Sequence, residues 1–418
     1  MPCGCDDHCD TQQSLIAVDT ALDLLLNKAG VVTETETIEL IDAGGRILAE
    51  DVCSTIQVPP LDNSAMDGYA VRSANFSAAG ETSCIISQRI CAGEVGTELA
   101  PNSVARIFTG APIPEGADAV IMQERCKVND NYMVSSGPIT VGANIRKAGE
   151  DIAIGDTILK TGDRLKPQDL GLAASVGIHK LSVYRRLRVG IFFTGDELQE
   201  PGTPLKAGQI YNSNRYTLRG LLDNLNCEII DLGIVGDTLE ATRNAMSEAA
   251  KKTDLVMTSG GVSVGEEDYI RIALEELGQL EMWHINIKPG KPFTFGHIAN
   301  TPFLGMPGNP VSVFATFCIF AHPYILKKQG ANHTQNNSFM VPAAFDWLKE
   351  ESRCEYLRAK LETNASGQKV VNLYPHQGSG VLTSTSWANG LVVIPPNIVV
   401  NKGNPVEFIP FSELECNH

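Results

Sequence analysis

Residues 187–193 read LRVGIFF, residues 227–235 read CEIIDLGIV and residues 254–261 read DLVMTSGG. Each is a short apolar run of the kind that forms a strand buried on both faces. Between them lie RYTLRGLLDNLN at 215–226 and TLEATRNAMSEAAKK at 238–252, whose apolar spacing predicts helices. Strands that alternate with helices favour right-handed βαβ units, and hence a Rossmann-like parallel α/β domain.

The same alternation continues toward residue 326, and an all-β region follows it. EDYIRIALEELG at 267–278 predicts a helix, PFLGM at 302–306 a late strand, and NPVSVFATFCIFAHPYIL at 309–326 another helix. The polar linker KKQGANHTQNNS then leads to a block of short strands and closing turns at about 338–414. That block favours a C-terminal β-barrel or sandwich.

The chain before residue 187 has a different texture. Apolar residues at helical spacing predict a helix within 12–28, and KPQDLGLAASVGI at 166–178 predicts a second one. From about 52 to 146, short apolar runs are separated by Gly, Pro and Asn turns, which predicts a small all-β module. The fold class is therefore multidomain, α/β plus all-β.

Composition excludes some functions for this chain of 418 residues. Lys+Arg 33 against Asp+Glu 49 gives a net charge of −16, so no nucleic-acid partner is expected. No apolar run reaches the roughly 18 residues of a membrane span, and MPCGCDDHCD at the start lacks the features of a secretory signal. Most of the 11 cysteines stand singly, which argues against a disulfide framework and predicts a cytoplasmic protein.

Acidic side chains follow the first predicted strand. Ligands of open α/β sheets bind beyond the carboxyl ends of the strands, and Asp196 and Glu197 lie directly after LRVGIFF. Two adjacent carboxylates on such a turn can hold Mg²⁺, which prefers oxygen ligands. A helix-capping turn with solvated acids would give the same pattern, so the spacing leaves both interpretations open.

A glycine-rich loop follows the third predicted strand, where backbone N–H groups can turn toward one anion. It is neither a Walker motif nor GxGxxG, and a plain turn is the alternative to an anion-plus-metal site. Its glycines and hydroxyl donors are Ser259, Gly260, Gly261, Ser263 and Gly265. Three acids come directly after it: Glu266, Glu267 and Asp268.

Two lysines stand on a proline-flanked loop in this acidic chain. Lys288 and Lys291 lie in KPGKP, where the prolines restrict the backbone and reduce the entropy lost on ordering. Pro307-Gly308-Asn309-Pro310 then precedes a predicted helix, an arrangement that also favours anions. Two solvated lysines on a turn are the alternative. With the carboxylates, these loops suggest a phosphorylated, nucleotide-bearing substrate and Mg²⁺.

The β-rich segment and the N-terminus are less informative. PPLDNSAMDGYA at 59–70, FTGAP at 108–112 and RKAGED at 146–151 are typical of loops that line a polar pocket, but equally of ordinary loops. Near the N-terminus, four residues could gather around Zn²⁺ or a soft metal, although the spacing lacks the second CxxC of a structural zinc site. They are Cys3, Cys5, His8 and Cys9.

Taken together, eight segments resemble the molybdopterin molybdenumtransferase family, which includes the bacterial enzyme and the E domain of gephyrin. They run in order from residue 60 to residue 313: PLDNSAMDGYAVR, FTGAPIPEGADAVIMQE, NIRKAGEDI, FFTGDEL, GQIYNSN, TSGGVSVGEEDY, KPGKPFTFG and GMPGNPVSV. The set is specific, whereas no single segment would be.

The resemblance implies an elongated homodimer of four-part subunits. The parts would be a discontinuous N-terminal region at 10–55 and 147–181, an inserted β domain at 56–146, a molybdopterin-binding α/β domain at 182–332 and a C-terminal β domain at 333–418. The implied reaction is Mg²⁺-dependent insertion of molybdate into adenylylated molybdopterin, with release of AMP. The cleft would lie between the α/β domain of one subunit and the β domain of the other.

The resemblance also implies roles for individual residues. Glu197 and Asp268 lie where the family places essential acids, and with Asp196 they would hold Mg²⁺. Lys288 and Lys291 would neutralise phosphate or the molybdate dianion. The further substrate-binding residues would be Asp237, Gly260, Gly261, Ser263, Gly265, Pro307, Gly308, Asn309 and Pro310. Four more would reach in from the other subunit: Asp62, Thr109, Arg146 and Asp151.

One departure from the family pattern is visible, and two rival functions remain. Some bacterial members carry a lysine where His284 stands, and a histidine is mostly neutral at pH 7. The first rival is an ATP-dependent molybdopterin adenylyltransferase, and the second is a non-catalytic scaffold of gephyrin type. The implied partners are the chain itself, a molybdopterin adenylyltransferase and apo-molybdoenzymes, with no nucleic acid and no membrane.

Overall fold

The chain first forms a small region that it rejoins about 100 residues later. The computed structural model describes residues 15–77, 80–261, 269–282 and 284–413. The cysteine-rich cluster of Cys3, Cys5, His8 and Cys9 lies outside these residues. The elements of the first region are α1 (Val18–Lys28), β1 (Thr35–Glu39) and β2 (Val52–Cys53).

An all-β insertion follows, as the alternation of apolar runs and turns predicts. Its strands are β3 (Asn63–Ser64), β4 (Gly68–Val71), β5 (Glu81–Ile90), β6 (Ser103–Ile107), β7 (Ala119–Met122), β8 (Lys127–Asn129), β9 (Tyr132–Ser136) and β10 (Ile145–Arg146). Six of them form one sheet in the order β7-β4-β6-β5-β9-β8, and β3 pairs with β10 beside it. Buried Val71, Ile121 and Met133 share one apolar cluster of this sheet.

The chain then returns to the first region. Three elements complete that region: β11 (Thr157–Leu159), α2 (Pro167–Ser175) and β12 (Lys180–Tyr184). β11 pairs with β2 and β12 pairs with β1, both antiparallel. The pairing explains why the region is discontinuous in sequence, since the insertion lies between its paired strands.

The α/β region begins at residue 188. Its elements are β13 (Arg188–Thr194), β14 (Leu198–Gln199), β15 (Ile210–Tyr211), α3 (Ser213–Asn224), β16 (Glu228–Val235), α4 (Leu239–Lys252), β17 (Leu255–Ser259), α5 (Tyr269–Leu277), β18 (Gly278–Met282), β19 (Ile287–Lys288), β20 (Thr294–Ile298), β21 (Thr301–Met306), α6 (Pro310–Thr316) and α7 (His322–Lys328). Apolar residues of α3 and α6 pack in one cluster and those of α4 and α5 in another, so helices cover both faces of the sheet.

The sheet of this region is mixed rather than purely parallel. Its order is β16-β13-β17-β21-β20-β18, in which β20 runs opposite to the other five strands and pairs antiparallel with both β21 and β18. The parallel prediction is confirmed for β16, β13, β17 and β21 and wrong for β20, whose two pairings are antiparallel. A two-residue turn after Ile298 closes the β20–β21 hairpin, and a connection this short can join only antiparallel strands.

One long apolar helix fills the core next to the sheet. Pro310–Lys328 is the one described helix whose length and composition would suit a membrane span, and 83% of its apolar window is buried inside the molecule. It is therefore the longest piece of the core. A π-turn at Phe317–Ala321 precedes Pro323, which lacks an N–H group and would clash in a regular helix.

The C-terminal region is a small barrel. Its elements are β22 (Phe339–Pro342), β23 (Cys354–Thr363), β24 (Lys369–Leu373), α8 (Thr383–Trp387), β25 (Gly390–Ile394) and β26 (Pro405–Pro410). The strands pair in the order β24-β23-β25-β26-β22, and a bridge between Ala343 and Val371 joins the end of β22 back to β24. β19 of the preceding region adds to the same sheet by pairing with β23. The β-barrel-like prediction is confirmed.

Candidate functional site

A cavity of about 980 Å³ opens at the carboxyl edge of the mixed sheet. Thr194 ends β13 and Ser259 ends β17, and both line the cavity. The chain leaves β13 for β16 on one side and returns to β17 on the other. The crevice between β13 and β17 is therefore the topological switch point, where open α/β sheets bind ligands.

The carboxylate turn lies at the end of β13. Gly195 has a φ of +143°, and a side chain there would place Cβ 2.6 Å from a carboxylate oxygen of Glu197. Only glycine therefore lets the Glu197 carboxylate fold back over the turn. Glu197 lines the cavity, and the adjacent Asp196 is exposed beside it.

The glycine loop starts at the end of β17 and approaches the carboxylate turn. Gly260 and Gly261 have φ values of +97° and +65°. A Cβ on Gly260 would lie 2.5 Å from the carbonyl oxygen of Thr194, so no other residue fits this close approach. The remaining predicted residues of the loop, Ser263, Gly265 and Asp268, lie outside the described residues.

A hydrogen-bond network joins this loop to the segment 307–310. Asn214 Nδ2 donates to Ser259 Oγ at 2.8 Å and to the carbonyl oxygen of Gly308 at 2.7 Å. Ser259 Oγ in turn donates to the carbonyl oxygen of Pro307 at 3.0 Å. Asn214 therefore holds three cavity walls together. Sequence reasoning gave it no role, although it lies in the quoted segment GQIYNSN.

Lys288 lines the cavity but is already paired. Its Nζ lies 2.7 Å from Glu351 Oε2 and 2.9 Å from Glu355 Oε1, both carboxylates of the C-terminal region. Burial lowers the pKa of Lys288, but the hydrogen bonds to the two carboxylates outweigh this effect and the pKa is raised. The lysine therefore stays charged, and its charge is compensated before any anion enters.

Lys291 differs from Lys288 on the same loop. It is exposed and lines the cavity, and no carboxylate of the described chain forms an ion pair with it. The neighbouring imidazole of His284 is half-buried, and burial, followed by the charges of Lys291 and Arg271, lowers its pKa. His284 is therefore neutral near pH 7, and Lys291 carries the uncompensated charge of this wall.

The C-terminal region supplies a wall that sequence reasoning missed. A turn from Gln377 to Gly380 lines the cavity, together with Arg353. Arg358 is fully buried beneath it and donates from Nη2 to the carbonyl oxygen of Gly378 at 3.2 Å. Burial lowers the pKa of Arg358 to about 10. The run HQGSG at 376–380, a second glycine-rich loop, was the signal that could have indicated this wall.

Ten of the predicted site residues meet at this cavity. Glu197 and Asp237 bring carboxylates, and the two lysines bring opposite charge. The ten are Glu197, Asp237, Gly260, Gly261, Lys288, Lys291, Pro307, Gly308, Asn309 and Pro310.

Four predicted residues lie on the inserted β region or directly after it, away from the cavity, and we call them the insertion cluster: Asp62, Thr109, Arg146 and Asp151. Asp62 accepts from Lys147 Nζ at 2.7 Å and from the Ala148 N–H at 2.9 Å, and these bonds lower its pKa. Thr109 donates its N–H and its hydroxyl to Asp67, each at 2.8 Å. None of the four lines the cavity, and all are exposed or half-exposed.

The donor set beside β13 fits Mg²⁺. Asp196 and Glu197 supply carboxylate oxygens, and the buried Thr194 Oγ1 has no hydrogen-bond partner within the described chain. Oxygen donors of this kind are what Mg²⁺ prefers. Within the described ranges no group of three or more His, Cys, Asp or Glu residues gathers, so a third carboxylate would have to come from a residue such as Asp268.

Models of known families match almost the whole chain in three consecutive parts. The MoeA N-terminal region (domain I and II) matches residues 16–177, the probable molybdopterin binding domain residues 190–327, and the MoeA C-terminal region (domain IV) residues 340–411. The central match contains the strands and loops that form the sheet-edge side of the cavity.

Named relatives cover nearly the whole chain. A molybdopterin molybdenumtransferase of Haemophilus influenzae is 40% identical and spans 96% of this chain and 100% of that protein. Gephyrin of Dictyostelium discoideum is 31% identical over 94% of this chain and 62% of its own length. A crystal structure of a molybdopterin biosynthesis protein from Pyrococcus horikoshii superposes with a TM-score of 0.82 at 30% identity, covering 95% of this chain and 100% of that one.

Proposed function

We propose, from the premise that this chain belongs to the molybdopterin molybdenumtransferase family, that its cavity inserts molybdate into adenylylated molybdopterin and releases AMP. As a member of that family the chain is a transferase of molybdenum cofactor biosynthesis. The details of substrate, metal and site residues that follow are our proposal.

The observation that carries the proposal is the opposition of charges across one cavity. The carboxylate turn with Glu197 lines one wall, and the loop with Lys291 lines another. Glycine-rich turns lie between them. The carboxylates would hold Mg²⁺ on one side of the anionic substrate and Lys291 would face it from the other, so positive charge would act on the phosphoanhydride from both walls.

The glycine turns would hold the phosphate groups. Gly260 and Gly261 have positive φ values, and a Cβ on Gly308 would lie 3.8 Å from the Gly260 Cα, so the two glycine turns approach each other closely. Phosphate oxygens could therefore approach the backbone N–H groups closely, as they do in other anion-binding loops. The fixed network around Asn214 keeps these groups in place, so little reorganisation accompanies binding.

Lys291 would stabilise the charge that develops when the phosphoanhydride bond breaks. The leaving AMP takes up negative charge, and an unpaired ammonium group in the cavity lowers the energy of that state. Lys288, which already binds Glu351 and Glu355, would orient the loop and hold Lys291 at the cavity. No serine or cysteine nucleophile is needed, since molybdate itself is the incoming group.

Asp196 and Glu197, with Asp268 as a further candidate, would hold Mg²⁺ at the end of β13. When bound there, the ion would supply charge stabilisation to the phosphoanhydride. Asp237 lines the same cavity from the end of β16 and would help to position the substrate.

The insertion cluster would act from a second copy of the chain. Asp62, Thr109, Arg146 and Asp151 lie outside the cavity of their own chain, and Leu61 and Met66 beside them are exposed. Exposed apolar side chains next to ordered polar groups are typical of an interface. This supports a homodimer in which each cavity is completed by the other copy's insertion.

The proposed location is the cytoplasm. Seven described cysteines are free, and Cys227 and Cys318 are buried as thiols, an arrangement that suits a reducing compartment. The proposed transient partners are a molybdopterin adenylyltransferase, which would supply the substrate, and apo-molybdoenzymes, which would take the product.

The test is AMP release from adenylylated molybdopterin plus Mg²⁺, with and without molybdate. Release that requires molybdate and collapses in Glu197→Ala would support both the reaction and the role of the carboxylate. A wild-type chain that releases no AMP but makes adenylylated molybdopterin from ATP would instead be an adenylyltransferase. Absence of both activities, with binding to a peptide partner retained, would favour the scaffold.

A further inference from the structure

The cavity wall contains one aromatic side chain among the described residues, and no role has been given to it. Tyr211 ends β15 and lines the cavity. The rest of the lining consists of glycine, proline, polar, charged and aliphatic residues. Tyr211 therefore offers the large flat apolar surface of this cavity.

The ring of Tyr211 is fixed in place but not covered. Its hydroxyl donates to the carbonyl oxygen of Thr203 at 3.0 Å, yet 43% of the residue is exposed. Within the described chain, no other ring or cation lies over it. A large aromatic side chain anchored at one end and open on its face is available to a ligand, because burying that face would remove apolar area from water.

The ring is also coupled to the carboxylate turn. β14 and β15 form a two-stranded parallel ribbon in which Gln199 pairs with Tyr211. The N–H of Ile210, the residue before Tyr211, donates to the carbonyl oxygen of Glu197 at 2.8 Å. Backbone hydrogen bonds therefore fix the position of Tyr211 relative to Glu197, and a ligand that contacts Tyr211 is held at a defined place beside Glu197.

We propose that Tyr211 is a substrate-binding residue that stacks on a planar heteroaromatic ring of the substrate. This rests on the proposed function, since adenylylated molybdopterin carries two such rings, the pterin and the adenine. Stacking on an aromatic face does not depend on a particular pattern of hydrogen-bond donors and acceptors, so either ring could occupy the site. The two sources are separable by experiment.

The experiment measures binding of two probes, AMP and neopterin, by titration calorimetry. Tyr211→Ala should weaken binding of one probe about tenfold, while Tyr211→Phe, which keeps the ring, should stay within about threefold of the wild type. Tyr216→Ala is the matched control, because Tyr216 is also exposed and follows in α3 but does not line the cavity. Loss for AMP assigns the adenine to Tyr211, and loss for neopterin assigns the pterin.

Steady-state kinetics give a second readout. With adenylylated molybdopterin as substrate, Tyr211→Ala should raise KM about tenfold with kcat nearly unchanged, because stacking is equally present before and during the reaction. Unchanged affinity for both probes in Tyr211→Ala would overturn the proposal. So would equal losses in the Ala and Phe variants, since the hydroxyl anchor rather than the ring would then matter.

Failure of this proposal is distinct from failure of the proposed function. If wild-type chain releases AMP in a molybdate-dependent way and Tyr211→Ala binds both probes normally, only the stacking is wrong. If the wild type binds a probe through Tyr211 but releases no AMP, the reaction is wrong and the ring site stands.

Discussion

The cavity wall and the insertion cluster are both polar, but they are built by different means. The cavity is formed where aligned strands end, so its geometry follows from the register that pairs Ser259 with Phe193 on one side and with Met306 on the other. The insertion cluster is formed by local turns, in which Asp62 and Asp67 accept from nearby N–H groups. The first arrangement encloses a volume, whereas the second presents a surface.

This difference explains why the two regions are proposed to need each other. A wall set by sheet register is rigid and can hold a charged substrate. A surface set by turns can cover an opening without being part of the core. Variants in the two regions should therefore affect the reaction differently.

Removing the carboxylate turn should have the largest effect. Glu197→Ala should lower the rate of molybdate-dependent AMP release roughly 100-fold, because the Mg²⁺ ion that would stabilise the phosphoanhydride loses a carboxylate ligand. The rate is measured with saturating substrate and Mg²⁺. Glu228→Gln is the control, since Glu228 begins the neighbouring strand at the opposite end of the sheet. A variant at Glu197 that retains full activity would remove this turn from the site.

Mixing two inactive variants tests whether the insertion cluster acts across subunits. Asp62→Ala alone should lose roughly 30-fold in rate, since a charge-assisted contact is worth several kcal/mol at most. Co-refolding it with Glu197→Ala should restore about a quarter of wild-type activity, because half of the dimers are mixed and each mixed dimer has one intact site. If the mixture stays inactive while the dimer forms, the cluster acts within its own chain or not at all.

Removing one cation from each region should give a smaller contrast. Lys291→Gln should lower kcat and raise KM, with a loss of roughly tenfold or more in kcat/KM, because the uncompensated charge that binds the anion and stabilises the leaving AMP is lost. Lys147→Gln should change KM by about threefold at most, since Lys147 pairs with Asp62 at 2.7 Å and the Ala148 N–H still holds that carboxylate. Kinetics at several salt concentrations distinguish the two, because only the Lys291 effect should shrink as salt rises. Equal effects would mean that both regions bind the anion.

Breaking the ion pair between Glu351 and Lys288, which lies on the lysine loop (residues 288–292), should affect stability more than reaction rate. Glu351→Gln should lower the free energy of unfolding by about 1 kcal/mol at pH 7, measured in urea. The hydrogen bond from Lys288 lowers the pKa of Glu351, so this stabilisation is present above the unfolded value of about 4.3 and is lost as pH falls through the lowered folded value. At high pH the stabilisation from the ion pair is present below the unfolded lysine value of about 10.4, and it is lost as pH rises through the raised folded value of Lys288.

An exposed pair on the insertion is the matched control for that prediction. Lys127 and Glu81 lie 3.9 Å apart with both side chains largely in solvent, so Glu81→Gln should leave the unfolding free energy unchanged. A pH-independent difference between wild type and Glu351→Gln would show that the ion pair is not its source.

Local pattern was sufficient for most of the α/β region. LRVGIFF, CEIIDLGIV and DLVMTSGG lie in β13, β16 and β17, and the amphipathic runs between them are α3 and α4. Each of these segments combines clear periodicity with turn residues at its ends. β18 was missed because Gly278 both ends the predicted helix and begins the strand, so no linker separates the two.

The site divides along the same line. Loops at strand ends could be predicted as part of the site, because ligands of open α/β sheets bind beyond the carboxyl ends of the strands. The wall from Gln377 to Gly380 could not be, since it depends on the barrel packing against the lysine loop through pairs such as Lys288 with Glu355, 67 residues apart in sequence. The roles of all the predicted site residues, including Ser263, Gly265 and Asp268, and the domain boundaries stay predictions.

Strand β19 also limits how this protein can be divided or recombined. Ile287 and Lys288 lie in the α/β part of the chain, yet their backbone completes the barrel sheet. A fragment ending near residue 332 would leave these groups without their partner strand and Lys288 without either carboxylate. The barrel therefore cannot be exchanged for another domain without loss of these contacts. Any other domain fused at that point would have to supply both a strand edge and two acids before the lysine loop could adopt its shape.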